Sequence, residues 1–174
     1  MSDTALLIID VQAGVVEGEL RAARLDAVLD NLNLAIAKAR QRGMPVIFVQ
    51  HEEDDLPRGS DAWQLHPRLA RQDGDAIVYK RYGDSFCDTD LAQLLSARGA
   101  SKLWIGGAAT DFCVDSTLRN AVSRGYQATV IADGHTTLSA FALDAEQVID
   151  HFNAVWQASS ATPQPLRVLP AAEL

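Results

Sequence analysis

A three-layer α/β sandwich built on a five- to six-stranded parallel sheet is the fold class this sequence predicts. Two observations carry that reading. Residues 5–9, 46–49 and 102–106 are short runs dominated by apolar residues, with the length of strands covered on both faces. Between such runs, apolar residues recur at helical spacing and stop at glycine or proline. That alternation yields a parallel sheet with helices on both sides. The 174 residues are read as a single domain, 1–174, long enough to bury a full core.

The elements follow in order. Residues 5–9 form the first strand, which ends at Asp10. Leu25, Val28, Leu29, Leu32 and Ile36 mark a helix that Gly43 and Pro45 terminate. Residues 46–49 are the second strand, and the polar stretch 51–75 after it is expected to hold a short helix near 67–70. Residues 76–79 make the third strand, ending at Lys80. Thr89 is the expected cap of a helix that carries Leu91, Leu94 and Leu95 and closes at Gly99. Residues 102–106 are the fourth strand, and the next helix ends near Gly125. Residues 128–132 are the fifth strand, 144–158 the last helix, and 166–169 a sixth strand.

Bulk composition narrows the function. Fifteen Lys and Arg against 23 Asp and Glu give a net charge of −8, which argues against nucleic acid or an anionic membrane as partner. No apolar run approaches the length of a membrane span. Two cysteines do not make a disulfide framework, and the chain opens on the first strand without the pattern of a signal peptide. A cytoplasmic protein acting on a small-molecule substrate is the expectation.

The chemistry is concentrated in Trp104-Ile105-Gly106-Gly107-Ala108-Ala109-Thr110-Asp111-Phe112-Cys113-Val114. This reads as a buried strand, a tight turn of small residues, and a cysteine in the first turn of the next helix. Thr110 or Asp111 is the expected helix cap, which sets Cys113 at the second or third position. A helix N-terminus favours a thiolate and offers unpaired N–H donors to an oxyanion. By itself the segment reads more readily as a capped helix with a structural cysteine, since a free cysteine packs as a small hydrophobe more often than it reacts. Parallel sheets bind ligands beyond the carboxyl ends of their strands, and Asp10, Lys80 and Cys113 each stand at or after such an end.

Asp10-Val11-Gln12, Lys80, and Gly107 through Val114, together with Thr117, Ala121 and Gly125, resemble the isochorismatase-like cysteine hydrolases. That superfamily also holds nicotinamidases and N-carbamoylsarcosine amidases. The resemblance implies a Rossmann-like isochorismatase-type fold, with Asp10, Lys80 and Cys113 as a catalytic triad. It also implies a cis peptide at Ala108–Ala109 and an oxyanion hole of the Ala109 and Cys113 N–H groups. The implied activity is cysteine-dependent hydrolysis of a C–N amide-type bond through a thioester, in a homodimer or higher homo-oligomer without a cofactor. The alternatives are vinyl ether hydrolysis of the isochorismatase type and a catalytically silent binding scaffold.

Departures from the family pattern bear on the substrate. Ala13-Gly14-Val15-Val16 stands where many relatives carry Asn-Asp-Phe. The metal site of nicotinamidases would fall after the second strand, where His51-Glu52-Glu53-Asp54 and the more distant His66 read as a solvated acidic loop rather than metal ligands. The segment Gly59 through Pro67 resembles metal-free amide hydrolases related to streptothricin hydrolase. Candidate pocket residues are Gln12, Val16, Trp63, Phe86, Phe112 and His135. His151 reads as structural and Cys87 as a spare thiol.

Overall fold

The computed structural model describes residues 2–160 and 166–174. Its elements are β1 (Thr4–Ile9), α1 (Ala13–Val16), α2 (Leu25–Gln41), β2 (Val46–His51), β3 (Ala76–Lys80), α3 (Leu91–Ala97) and β4 (Lys102–Ala108). A π-helical turn, Thr110–Val114, then runs into α4 (Asp115–Ser123), followed by β5 (Gln127–Thr136), α5 (Ala145–Gln157) and β6 (Arg167–Leu169). The six strands form one sheet in the order β3-β2-β1-β4-β5-β6, and every pairing is parallel.

Burial on both faces explains the apolar runs. In β1, Ala5, Leu7 and Ile9 pack into one core with residues of α3, α4 and α5. Leu6 and Ile8 point the other way, into a second core filled from α2 by Leu25, Val28, Leu29, Leu32, Ala35, Ile36 and Ala39. Strand side chains alternate between faces, and a helix presents one apolar stripe, so the two periodicities lock together.

The strand order reverses at β1. The chain builds β2 and β3 to one side, then crosses to place β4 on the other. Such a switch point is where parallel sheets bind ligands, at the carboxyl ends of the two central strands, and Asp10 and the 110–114 turn both follow those ends. Gly107 makes the close approach possible. Its φ is +128°, and a Cβ there would lie 2.0 Å from the Ile9 carbonyl oxygen, a contact only glycine escapes.

Several local expectations need correction. Residues 67–70 form a turn, not a helix; the Leu69 N–H donates to His66 O at 3.0 Å and nothing continues the pattern. Asp90, not Thr89, holds the cap position of α3, although the Thr89 hydroxyl accepts from the Leu91 N–H at 3.3 Å. Ala109, not Thr110 or Asp111, precedes the 110–114 turn and supplies no side-chain cap. The fifth strand extends to Thr136, with a register jump from Ile105↔Val130 to Gly107↔His135. Helix α1 has only four residues, too short to leave a periodic signal.

Candidate active site

Asp10 follows β1 in a left-handed conformation, φ +50°, which costs a non-glycine residue about 1 kcal/mol. Its backbone N–H stays tied to the sheet, donating to Val49 O at 3.0 Å. Lys80 ends β3 and Cys113 sits in the 110–114 turn after β4. The structure brings these three together. Lys80 Nζ lies 2.6 Å from Asp10 Oδ2, with both side chains at most 2% exposed, and donates to Cys113 Sγ at 3.3 Å.

The electrostatics of the group follow from its burial. The Lys80–Asp10 contact is a close ion pair, but it is not aligned as a hydrogen bond, and Asp10 Oδ1 has no hydrogen-bond partner among the described residues. Desolvation raises the Asp10 pKa above the usual carboxylate range, opposed by the Lys80 charge. Burial, then the Asp10 charge, push the Cys113 thiol up to about 12, against the pull of Lys80. The resting group is therefore a thiol rather than a thiolate. Cys113 is the fourth residue of its turn, deeper than a first-position cysteine and less helped by the helix end. The Ala108–Ala109 peptide is cis.

The remaining candidates separate by what already holds them. The Gln12 amide is committed: Nε2 donates to His51 O at 2.9 Å and Trp63 O at 2.8 Å, while Oε1 accepts from the His51 N–H at 2.8 Å. Val16 is wholly buried in the α2-side core, and Phe86 lies in the opposite core stacked on Tyr126, with ring centroids 5.8 Å apart. The side chains of all three are taken up by the core or by the backbone. Trp63 is 7% exposed and stacks on Tyr79. It walls a cavity of about 320 Å³ with Gln50, His66 and Tyr79, which neither Asp10, Lys80 nor Cys113 lines. Phe112, beside Cys113, is half exposed and tilts against Phe141.

His135 is a scaffold residue rather than a substrate contact. It is 1% exposed, with Nδ1 2.9 Å from Thr110 Oγ1 and Nε2 3.0 Å from Asn153 Oδ1. Asn153 Nδ2 donates to Ala132 O, so Oδ1 is the acceptor and His135 carries its proton on Nε2. Burial lowers its pKa to about 4. Both ring nitrogens are used, and through Thr110 the ring braces the turn that carries Cys113.

One residue of the site escaped the sequence reading. His51 is not part of a solvated loop: its Nδ1 lies 3.1 Å from Lys80 Nζ, because β2 and β3 pair His51 with Lys80. Strand register is the signal that finds it. A neighbouring ammonium leaves that nitrogen unavailable to a metal, and His66 is paired instead with Glu17 at 3.2 Å. Among the described residues, no group of three His, Cys, Asp or Glu side chains is placed to hold a metal.

Known proteins resemble this chain in both sequence and fold. A streptothricin hydrolase from Streptomyces noursei is 33% identical over 138 residues, 76% of this chain and 49% of that protein, so the chain spans about half its length. A ureidoacrylate amidohydrolase from Klebsiella pneumoniae is 30% identical over 182 residues, covering 82% of this chain and 77% of its own. The crystal structure of an isochorismatase family protein superposes with a TM-score of 0.89 at 40% identity, covering 97% of this chain and 99% of that one. Residues 4–160 match the isochorismatase domain, and the chain belongs to the isochorismatase family of hydrolases.

Proposed function

We propose that this protein is a cysteine-dependent hydrolase that cleaves a C–N amide-type bond of a small molecule through a thioester. The observation that carries the reading is the Lys80 ammonium, buried between the Asp10 carboxylate and the Cys113 thiol. The amidohydrolase among its relatives supports the choice of bond.

The steps follow from the groups. As Cys113 Sγ attacks the carbonyl carbon, its proton passes to Asp10 and the carbonyl electrons move to oxygen. Because the thiol is so weak an acid, proton transfer accompanies attack rather than preceding it, and Lys80 offsets the charge that develops on sulfur. The N–H groups of Ala109 and Cys113 receive the oxyanion, a role in which one donor contributes about 3–4 kcal/mol. Collapse breaks the C–N bond, and Asp10 returns its proton to the leaving nitrogen. Water then adds to the thioester, with Asp10 taking its proton; the C–S bond breaks and that proton restores the thiol. The balance is amide plus water giving acid plus amine.

A panel of small amides, ureas and lactams, assayed for released ammonia or amine, tests the reading. Turnover is expected with wild type and absent with Cys113→Ser. Lys80→Ala should retain the fold and lose at least about a hundredfold in turnover. Wild-type rates in Cys113→Ser would overturn the proposal.

A further inference from the structure

Lys80 is held from three sides. An ammonium has three hydrogens and no lone pair, so its orientation is set by the acceptors around it. Asp10 Oδ2 is the closest neighbour but is not aligned as a hydrogen bond. The two aligned bonds run to Cys113 Sγ at 3.3 Å and to His51 Nδ1 at 3.1 Å. With the Lys80 side chain fully buried, water is a poor replacement for either.

From this geometry we infer that His51 is a positioning residue, whose Nδ1 lone pair fixes the Lys80 ammonium between Asp10 and Cys113. The inference rests on the hydrolase reading above, since it assigns a role within the same site. His51 is itself fixed by its backbone, its N–H donating to Gln12 Oε1 and its carbonyl accepting from Gln12 Nε2. That clamp explains why Gln12 is buried and unavailable to substrate. The ring's other nitrogen, Nε2, faces Glu53 Oε2 at 3.7 Å, a carboxylate that favours the proton on Nε2 and leaves Nδ1 free to accept. The charged groups facing the ring are thus Lys80 from β3 and Glu53 from the loop after β2, with Asp10 beyond the ammonium.

The role of His51 differs from that of a packing residue in what its loss does. Without the Nδ1 acceptor, a buried N–H of Lys80 lacks a partner, which disfavours the charged ammonium. The thiolate of Cys113 then loses part of its counter-charge and forms at higher pH.

The test measures Cys113 itself and needs no substrate. In a Cys87→Ser background, Cys113 is the one remaining cysteine, and its alkylation by iodoacetamide is followed by mass spectrometry across pH. His51→Ala should move the pH profile upward by about one unit, a tenfold loss of thiolate at a given pH. His51→Asn, whose Oδ1 takes the place of Nδ1, should recover most of that loss. His51→Gln, whose oxygen reaches the place of Nε2, should not. If the alanine variant does not fold, the contrast between Asn and Gln still decides. A profile unchanged in His51→Ala, or equal behaviour of Asn and Gln, overturns the inference. Lys80→Ala run in parallel separates the two claims: if it too leaves the profile unchanged, the hydrolase reading of Lys80 fails, and if it alone shifts the profile, only the role of His51 fails.

Discussion

Two buried polar clusters flank the turn that carries Cys113, and they are built on opposite terms. Around His135, donors and acceptors are matched: both ring nitrogens, the Thr110 hydroxyl and the Asn153 amide have partners. Around Asp10, the ion pair with Lys80 is misaligned and Oδ1 is left without a partner among the described residues. A native protein seldom leaves a buried carboxylate oxygen unmatched, because an unmade hydrogen bond costs more than a made one contributes. The matched cluster holds a shape. The unmatched one leaves a lone pair open, as the proton acceptor of the proposed reaction requires.

The comparison can be broken most sharply at Asp10. Asp10→Asn removes the proton acceptor and should lower turnover by about a thousandfold. The same change removes a negative charge that raises the Cys113 pKa, so the thiol should become more acidic. Alkylation of Cys113 near pH 8 is therefore expected to speed up while hydrolysis stops. If both slow together, Asp10 acts on the thiol by structure and not by charge.

His135 should respond through stability. Its pKa of about 4 lies below the ordinary 6.5 because burial disfavours the cation. The unfolded chain therefore binds the proton more readily than the folded one. The stability is fully present above pH 6.5 and is lost as pH falls toward 4, amounting to about 3 kcal/mol. Urea unfolding at pH 7 and pH 4.5 should show that slope in wild type and a flatter one in His135→Gln. Equal slopes would show that the matched cluster does not exclude the charged ring.

A smaller effect is expected at Thr110→Val, which preserves shape but strands His135 Nδ1 without its donor. The cost should be about 1–2 kcal/mol in urea unfolding. Turnover should fall by less than about tenfold, since the brace is weakened but no reacting group is removed. A loss as large as that from Asp10→Asn would place Thr110 in the chemistry instead.

The sequence carries the sheet and the three groups of the proposed triad for the same reason. Strands buried on both faces must be apolar along their length, so the polar residues Asp10 and Lys80 stand out where strands 5–9 and 76–79 stop. Cys113 follows a turn of small residues that is equally legible. His51 is a different case. In the chain it heads the acidic run Glu52-Glu53-Asp54-Asp55, and only pairing across β2 and β3 sets it beside Lys80. The bracing contacts of His135 are not legible in the sequence because its partners, Thr110 and Asn153, lie 25 and 18 residues away along the chain. Phe86 and Val16 were misread because an aromatic or branched side chain near a strand end serves a core as readily as a pocket.

Position 107 shows how chemistry can depend on an atom that is absent. With the Ile9 carbonyl oxygen 2.0 Å from where a Cβ would stand, any larger residue has to prise β4 from β1 at the seam beside which Asp10 and Cys113 stand. Such a substitution would leave Asp10, Lys80 and Cys113 intact in name while widening the gap between them. The spacing of carboxyl and thiol is thus encoded by a hydrogen atom, in a residue that has no side chain of its own.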